Sequence, residues 1–208
     1  MIDRFDGGYQ FLSNFYEGRS FLYEGVLYSS AEAAYQSQKT TDMFLRLTIS
    51  KMSPKASKKA GRKLEIRPDW EDIKYDVMTG ILREKFRDKR LRTLLMETGS
   101  DLLVEGNTWH DNTWGICSCD KCKGKPGQNR LGIILMDIRK EIQIEEADAV
   151  KVKEIVNQII QNSPKEDAAT AIKLERIYSD IRDKRVKELI RDDILRLTET
   201  AYDDYEED

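Results

Sequence analysis

The sequence predicts an α+β fold that is mostly helical, with one compact domain carrying a few short antiparallel strands and a helical extension behind it. Three observations carry this reading. All 12 Gly, all three Trp and all six Phe of the 208 residues lie before residue 144, and turn-formers and large aromatics concentrate where a chain builds a compact, site-bearing domain. Residues 1–143 hold 24 Lys+Arg against 20 Asp+Glu, a net of +4, while 144–208 hold 11 against 18, a net of -7; the two sum to the whole-chain charge of -3. Helical periodicity recurs along the chain, whereas only two short segments read as strand. The expected organisation is a domain over 1–143, an amphipathic helical extension over 144–200 and an acidic tail over 201–208.

The elements follow in order. FLYEGVLY, residues 21–28, alternates about Glu24-Gly25 and suits a hairpin. Ser29 precedes AEAAYQSQK with Glu32 three positions on, the spacing of a capping box that opens a helix over about 30–39. Ser53-Pro54 opens another, because Pro is tolerated at the first helical position. Trp70, Ile73, Val77 and Ile81, with Met78 and Leu82, form the clearest 3.6-residue stripe and predict a helix over 69–87. A helix over 89–97 should end at Gly99, LLVE (102–105) suits a strand, and Asn129 followed by Leu131, Ile134, Leu135 and Ile138 suits the last helix of the domain. Beyond it, Ile155, Ile159 and Ile160 share a stripe and Leu189, Leu195 and Leu197 follow, with a break at Asn162-Ser163-Pro164; two or three amphipathic helices are expected. They offer a surface for self-association or a protein partner. The run AYDDYEED should stay solvated.

Composition excludes several classes. Charged residues make up 35% of the chain and hydrophobic ones 39%, and no stretch approaches the roughly 18 uninterrupted apolar residues of a membrane span. MIDRFDGGYQF has two Asp and no apolar run behind a basic start, unlike a secretory signal. A cytoplasmic location is the expectation. Cys117, Cys119 and Cys122 are too close together to staple distant parts of the chain, so a secreted disulfide scaffold is excluded.

Chemistry is suggested in two places. Glu32, Tyr35, Gln36 and Lys39 fall at i, i+3, i+4 and i+7 and share one helix face. Such a face either lines a pocket or faces water. NTWHDNTWG (107–115) packs Trp109, Trp114, the only His and Asp111 between an expected strand and a glycine-containing loop. Its indoles either cover a core edge or form stacking walls for a planar ligand. SNFY (13–16) is a third polar and aromatic cluster, equally compatible with a turn.

FLSNFY (11–16), LYSSAEAAYQSQK (27–39), SPKASKKAGRKLEIRPDWEDIKYDVM (53–78), LLMETGSDLLVEGNTWHDNTWG (94–115) and GQNRLGIILMDIR (127–139) together resemble the ordered blocks of the YbiA-like, or NADAR, family. The resemblance spans nearly all of 5–142 and does not reach the tail. It implies a compact, mostly helical α+β domain that acts on N-glycosides of ribose. Members are associated with hydrolysis of ribosylated pyrimidine intermediates of riboflavin synthesis, and others with removal of ADP-ribose from guanine in nucleic acid. No redox cofactor is implied. Carried over by position, the pocket would draw on Asn14, Phe15, Glu32, Gln36 and Lys39, then Trp70 and Lys74 from RPDWEDIK, Asp111, Trp114 and Gly115 from D-x-x-W-G, and Asn129 from G-x-N-x-L-G.

Breaking a C–N bond at the anomeric carbon builds positive charge on the sugar, so one carboxylate should stabilise it while an acid protonates the departing group. Glu32 and Asp111 can supply that pair, in either order. Lys39 can instead attack the opened aldehyde form of ribose to give a Schiff base, with Lys74 as the cationic neighbour that keeps it neutral, or it can bind phosphate or ribose without covalent chemistry. Trp70, Trp109 or Trp114 can stack on the leaving base, although Trp70 also belongs to the apolar stripe. Arg62, with Lys58, Lys59 and Lys63, gives a basic segment suited to phosphate or simply to water.

ICSCDKCKGKP departs from the simpler family pattern. Cys117, Cys119 and Cys122 form C-x-C-x-x-C, and His110 can complete a tetrahedral Cys3His structural zinc site; the alternative is a reduced or redox-labile thiol cluster. The expected ligand is a phosphorylated ribosyl or ADP-ribosyl compound, free or on nucleic acid. An N-glycosidase is the first reading, a non-catalytic ADP-ribose or nucleotide-binding module the second, and a nucleic-acid-binding protein built on the Cys insert the third.

Overall fold

The computed structural model describes residues 1–161, 174, 176–181, 187 and 191, with side chains described up to residue 158 and again from 174. The chain divides into two compact units, Met1–Lys140 and Glu141–Asp208. The first unit opens with a 3-10 turn, Gly7–Leu12, and then forms β1 (Phe21–Tyr23) and β2 (Val26–Tyr28). These strands pair antiparallel, Phe21 opposite Tyr28, and Glu24 and Gly25 close them with positive φ of 48° and 75°. Two positive-φ residues give a turn whose twist matches that of the strands. Five helices follow: α1 (Ala31–Ser37), α2 (Met43–Ser50), α3 (Pro54–Gly61), α4 (Trp70–Lys85) and α5 (Lys89–Glu97).

Their starts have visible causes. Ser30, not Ser29, caps α1: its Oγ accepts from Ala33 N–H at 3.2 Å. Glu32 therefore sits within the first turn, where its side chain is not needed as a cap. Asp42 and Asp88 cap α2 and α5 through Oδ1, and Ser53 caps α3 with Pro54 at the first helical position. α4 buries Trp70, Val77, Met78, Ile81 and Leu82 as its stripe requires, and Gly99 at φ 57° follows the end of α5. Helix α2 lacked a sequence signal because its apolar Met43, Phe44 and Leu47 are exposed while Ile49 and Ser50 are buried.

Residues 102–105 form no strand. A single parallel bridge joins Ile2 to Leu103, and the second strand pair is β3 (Gly106–Asn107) with β4 (Ile116–Cys117), which run parallel. Loop 108–115 connects them and carries much of the candidate site. A 3-10 turn, Asp120–Cys122, precedes α6, Arg130–Gln161. The closing helix of the domain and the first helix of the extension are thus one continuous helix, because no Gly or Pro interrupts 133–161. In the second unit Ala149, Val156 and Leu174 form a small core with Val152, Tyr178 and Ile181, while Ile155 is exposed. The side chains of Ile159 and Ile160, and Leu189, Leu195, Leu197, the 162–164 break and the acidic run, lie outside the described residues. Among the described residues no helix is long and apolar enough to cross a membrane.

Candidate active site

Helix α1 forms the centre of the site. Every residue from Ala31 to Ser37 is buried, so Glu32 and Gln36, each 5% exposed, cannot belong to a solvated face. A buried carboxylate needs partners. Gln36 Nε2 donates to Glu32 Oε1 at 2.9 Å, and the backbone N–H of Glu32, one of the donors left over at a helix start, donates to Asn14 O at 2.9 Å. That bond places Asn14 beside Glu32, where Asn14 Nδ2 donates to Met78 Sδ at 3.6 Å and its Oδ1 is buried with no partner. Burial raises the Glu32 pKa above the usual carboxylate range, while the Gln36 bond and the charges of Lys58, Lys39 and Arg62 oppose the rise. Helix α3 approaches α1 at Gly61, where a Cβ would come within 1.9 Å of Gln36 Oε1.

A cavity of about 700 Å³ opens over this face, within the size range of small-molecule sites. Glu32 and Gln36 from α1 and Lys39, two residues past its end, line it, together with Asn14, Phe15, Lys58, Arg62, Glu105, Trp109, Asp111 and Trp114. Lys39 Nζ lies 5.7 Å from the Tyr35 ring and 6.0 Å from the Trp70 ring. Its pKa is lowered by burial and by Lys58 and Arg62, with Glu32 acting in the opposite sense. Tyr35 in turn meets Trp114 edge-on at 5.4 Å and Trp70 at 5.0 Å, and burial raises its phenol pKa. Phe15 stands at the cavity under Lys58, whose Nζ is 5.2 Å from the ring.

Asp111 reaches the cavity, but its carboxylate also holds its own loop. Oδ1 accepts from Thr113 N–H at 3.0 Å and from Trp114 N–H at 2.9 Å. Asn107 holds the same turn, accepting from the N–H groups of Trp109 and Asp111 at Oδ1 and donating from Nδ2 to Asp111 O at 2.7 Å. The second carboxyl on the cavity with a raised pKa is instead Glu105. Its Oε2 is buried without a partner, and burial, Asp111 and Asp6 push its pKa up to about 7 against the lowering effect of Lys58 and Lys85.

Four residues expected at the pocket do other work. Lys74 pairs with Glu71 on the exposed turn of α4 and does not line the cavity; Lys58 and Arg62 are the cations that act on Lys39. Trp70 is 5% exposed and packs behind Tyr35, as its place in the apolar stripe of α4 dictates. Gly115 is a packing position, since a Cβ there would lie 2.0 Å from Glu105 O. Asn129, at φ 48°, accepts from Glu105 N–H at Oδ1 (3.0 Å) and donates to Leu103 O (2.8 Å), which fixes the segment bearing Glu105.

Sequence reasoning missed Glu105 and Lys85. Glu105 ends an apolar run too short to show a period. Lys85 had a signal, since it lies three and four residues after Leu82 and Ile81 on the buried stripe. Its Nζ donates to Ser13 O at 2.8 Å, sits 5.6 Å from the Tyr16 ring and 5.3 Å from the Phe86 ring, and has a pKa lowered by burial to about 7. Lys85 thereby anchors the segment carrying Asn14 and Phe15 to α4.

Beside the cavity, His110, Cys117, Cys119 and Cys122 place their ligand atoms within 4.8 Å of one another, a set able to hold a metal ion. His110 Nδ1 is 3.0 Å from Cys119 Sγ and 3.5 Å from Cys122 Sγ.

The NADAR domain model matches residues 3–143. The chain belongs to the NADAR family. It is 37% identical over 137 residues to the N-glycosidase YbiA of Shigella flexneri, which covers 64% of this chain and 81% of that protein. With the N-glycosidase YbiA of Escherichia coli K12 it shares 37% identity over 126 residues, 59% of this chain and 75% of that protein. The NMR structure of E. coli YbiA superposes with a TM-score of 0.59 at 32% identity, covering 71% of this chain and 89% of that one. This NADAR chain carries its Cys cluster between the D-x-x-W-G and G-x-N-x-L-G elements of the matched region.

Proposed function

We propose that this NADAR protein is an N-glycosidase that hydrolyses the bond between C1 of ribose and a base or amine nitrogen. Its substrate would be a ribosylated pyrimidine phosphate or an ADP-ribosyl compound, free or on nucleic acid. The observation that carries the reading is the pair of cavity-lining carboxyls with raised pKa values, Glu32 and Glu105, facing the same space as Lys39, Lys58 and Arg62. Family membership and the N-glycosidase relatives support the reaction class.

Each group has a task in that reaction. Glu105, held half-protonated near neutral pH, donates a proton to the departing nitrogen as the C1–N bond breaks. Glu32, whose anionic form Gln36 and the nearby cations favour against the raising effect of burial, faces the positive charge that develops at C1 and the ring oxygen. Water adds to C1 and gives its proton to the Glu105 carboxylate. Lys58 and Arg62 suit the phosphate, and Phe15, Trp109 and Trp114 offer flat surfaces for the base. Asp111 holds the loop that presents both indoles.

The lowered Lys39 pKa favours a second route. Neutral Nζ displaces the base at C1 and the base leaves with a proton; the glycosylamine then opens its C1–ring-oxygen bond, the oxygen taking the proton from Nζ, and the resulting imine is hydrolysed to release the sugar. Borohydride added during turnover would trap that imine as a sugar adduct on Lys39; absence of the adduct leaves the carboxylate route. A module that only binds an anionic ribosyl phosphate gains nothing from two carboxyls in its cavity, since they repel the ligand. The ligand set of His110 and the three Cys is read as a structural Zn2+ site of the Cys3His type, because thiolates and imidazole suit that ion.

Incubation with ADP-ribosylated guanosine and with a ribosylaminopyrimidine phosphate, followed by chromatography, tests the reaction. Free base from either compound supports it, and tight binding of both without release would establish the binding module instead.

A further inference from the structure

The loop between β3 and β4 puts metal ligands and cavity wall into one short stretch: His110 lies between Trp109 and Asp111, both of which line the cavity. His110 adopts φ 68°, a left-handed conformation that a non-glycine residue adopts at a cost of roughly 1–2 kcal/mol. That conformation turns its imidazole toward the thiols. Cys117 lies in β4, so an ion bound by all four residues would tie the loop tip to the strand and to the 3-10 turn Asp120–Cys122.

The surroundings are those of a metal knuckle. In tetrahedral zinc with Zn–S near 2.3 Å and Zn–N near 2.0 Å, ligand atoms stand about 3.5 to 3.8 Å apart, and the four atoms here lie within 4.8 Å of one another. Three neutral thiols and an imidazole have little reason to converge so closely without a cation. The backbone N–H of His110 donates to Cys117 Sγ at 3.3 Å, the kind of outer bond that steadies a metal-bound thiolate. Cys122 N–H donates to Cys119 O at 3.0 Å, and Gly124 at φ 78° lets the chain turn away.

We propose that zinc held by Cys117, Cys119, Cys122 and His110 Nδ1 is the device that sets the Trp109–Asp111 wall of the cavity, so that metal occupancy controls the order of the substrate site. It deepens the N-glycosidase reading only in naming what the wall serves, and its test uses no substrate. Thiolates bind the ion by releasing protons, and the bound ion stabilises the strained His110 backbone that aims its neighbours.

The test uses the full chain purified without chelator or affinity-tag histidines. Elemental analysis should give about one zinc per chain. Exchange of zinc for cobalt should give the strong visible absorption and thiolate charge-transfer bands of a tetrahedral site. Cys119→Ser and Cys122→Ser should each lose both signals, while His110→Cys, which offers a fourth thiolate, should keep them. Hydrogen exchange by mass spectrometry then reads the second half of the proposal: metal removal should speed exchange of 107–117 by about tenfold or more and leave α4 unchanged. Protein with no zinc and no cobalt bands would overturn the site. Metal-free protein with unchanged exchange over 107–117 would overturn the link to the cavity, whatever the glycosidase assay returns.

Discussion

Gly61→Ala is the sharpest small perturbation of the site. The added methyl would stand 1.9 Å from Gln36 Oε1, 2.8 Å from its Cδ and 3.1 Å from its Cβ. The far end of Gln36 is the part able to yield, and its movement breaks the 2.9 Å bond from Nε2 to Glu32 Oε1. A hydrogen bond to a charged group contributes about 1.5–3 kcal/mol. If that bond serves the Glu32 anion in the transition state, kcat/KM should fall by about 10- to 100-fold, since each 1.4 kcal/mol is a factor of ten. Glu32 would lose a group that holds its pKa down, so the acid limb of the pH profile should move to higher pH. Folding should lose about 0.5–2 kcal/mol, because Ala near the end of α3 is a better helix former than Gly by about 1 kcal/mol, which offsets only part of the lost bond. Gly8→Ala is the control, as nothing lies within 4 Å of its added carbon. Steady-state kinetics and thermal melts of both variants make the assay. A Gly61→Ala protein with the parent's kcat/KM and pH profile would refute the role given to Gln36 and Glu32.

Other expectations follow from the same geometry. The folded pKa of Glu105 is raised, so its stabilising contribution is complete below the unfolded value of about 4.5 and is lost as pH rises through about 7; melts of Glu105→Gln between pH 4.5 and 7.5 should show a shallower decline than the parent's, and parallel curves would contradict this. Lys85→Met leaves Ser13 O without its donor and should raise KM through the Asn14–Phe15 segment at a stability cost of about 1–3 kcal/mol, measured by denaturant titration beside the kinetics; an unchanged KM would remove Lys85 as a positioning residue. Trp109 is 58% exposed and Trp114 packs between Tyr35 and Tyr75. Trp109→Ala should therefore weaken substrate binding with little change in Tm, whereas Trp114→Ala should cost about 3–5 kcal/mol of stability.

The legible parts of this protein are those whose cause is local. Helix α4 repeats its apolar period over 16 residues, and Glu24-Gly25 closes a hairpin with no help from distant segments. Glu32, Gln36 and Lys39 could be grouped because helical spacing puts them on one face, although spacing could not say that the face is buried. Only the packing of α2, α3 and α4 on α1 decides that. Glu105 was illegible because its placement depends on Asn129, 24 residues away, and on the close approach of Gly115. Lys74 misled for the converse reason: it lies on α4 beside Tyr75, a ring that meets Trp114, yet its partner is Glu71 one turn back. The double use of Asp111, facing the cavity while capping its own loop, is likewise a property of the turn that Asn107 folds.

The central claim is that Glu32 and Glu105 act on one ribosyl C1–N bond in a shared cavity, and paired measurements of turnover and affinity on Glu32→Gln and Glu105→Gln test it most directly. Each variant should bind the substrate with a Kd close to the parent's and release base at least about 100-fold more slowly. Base release at the parent's rate by either variant would contradict the account.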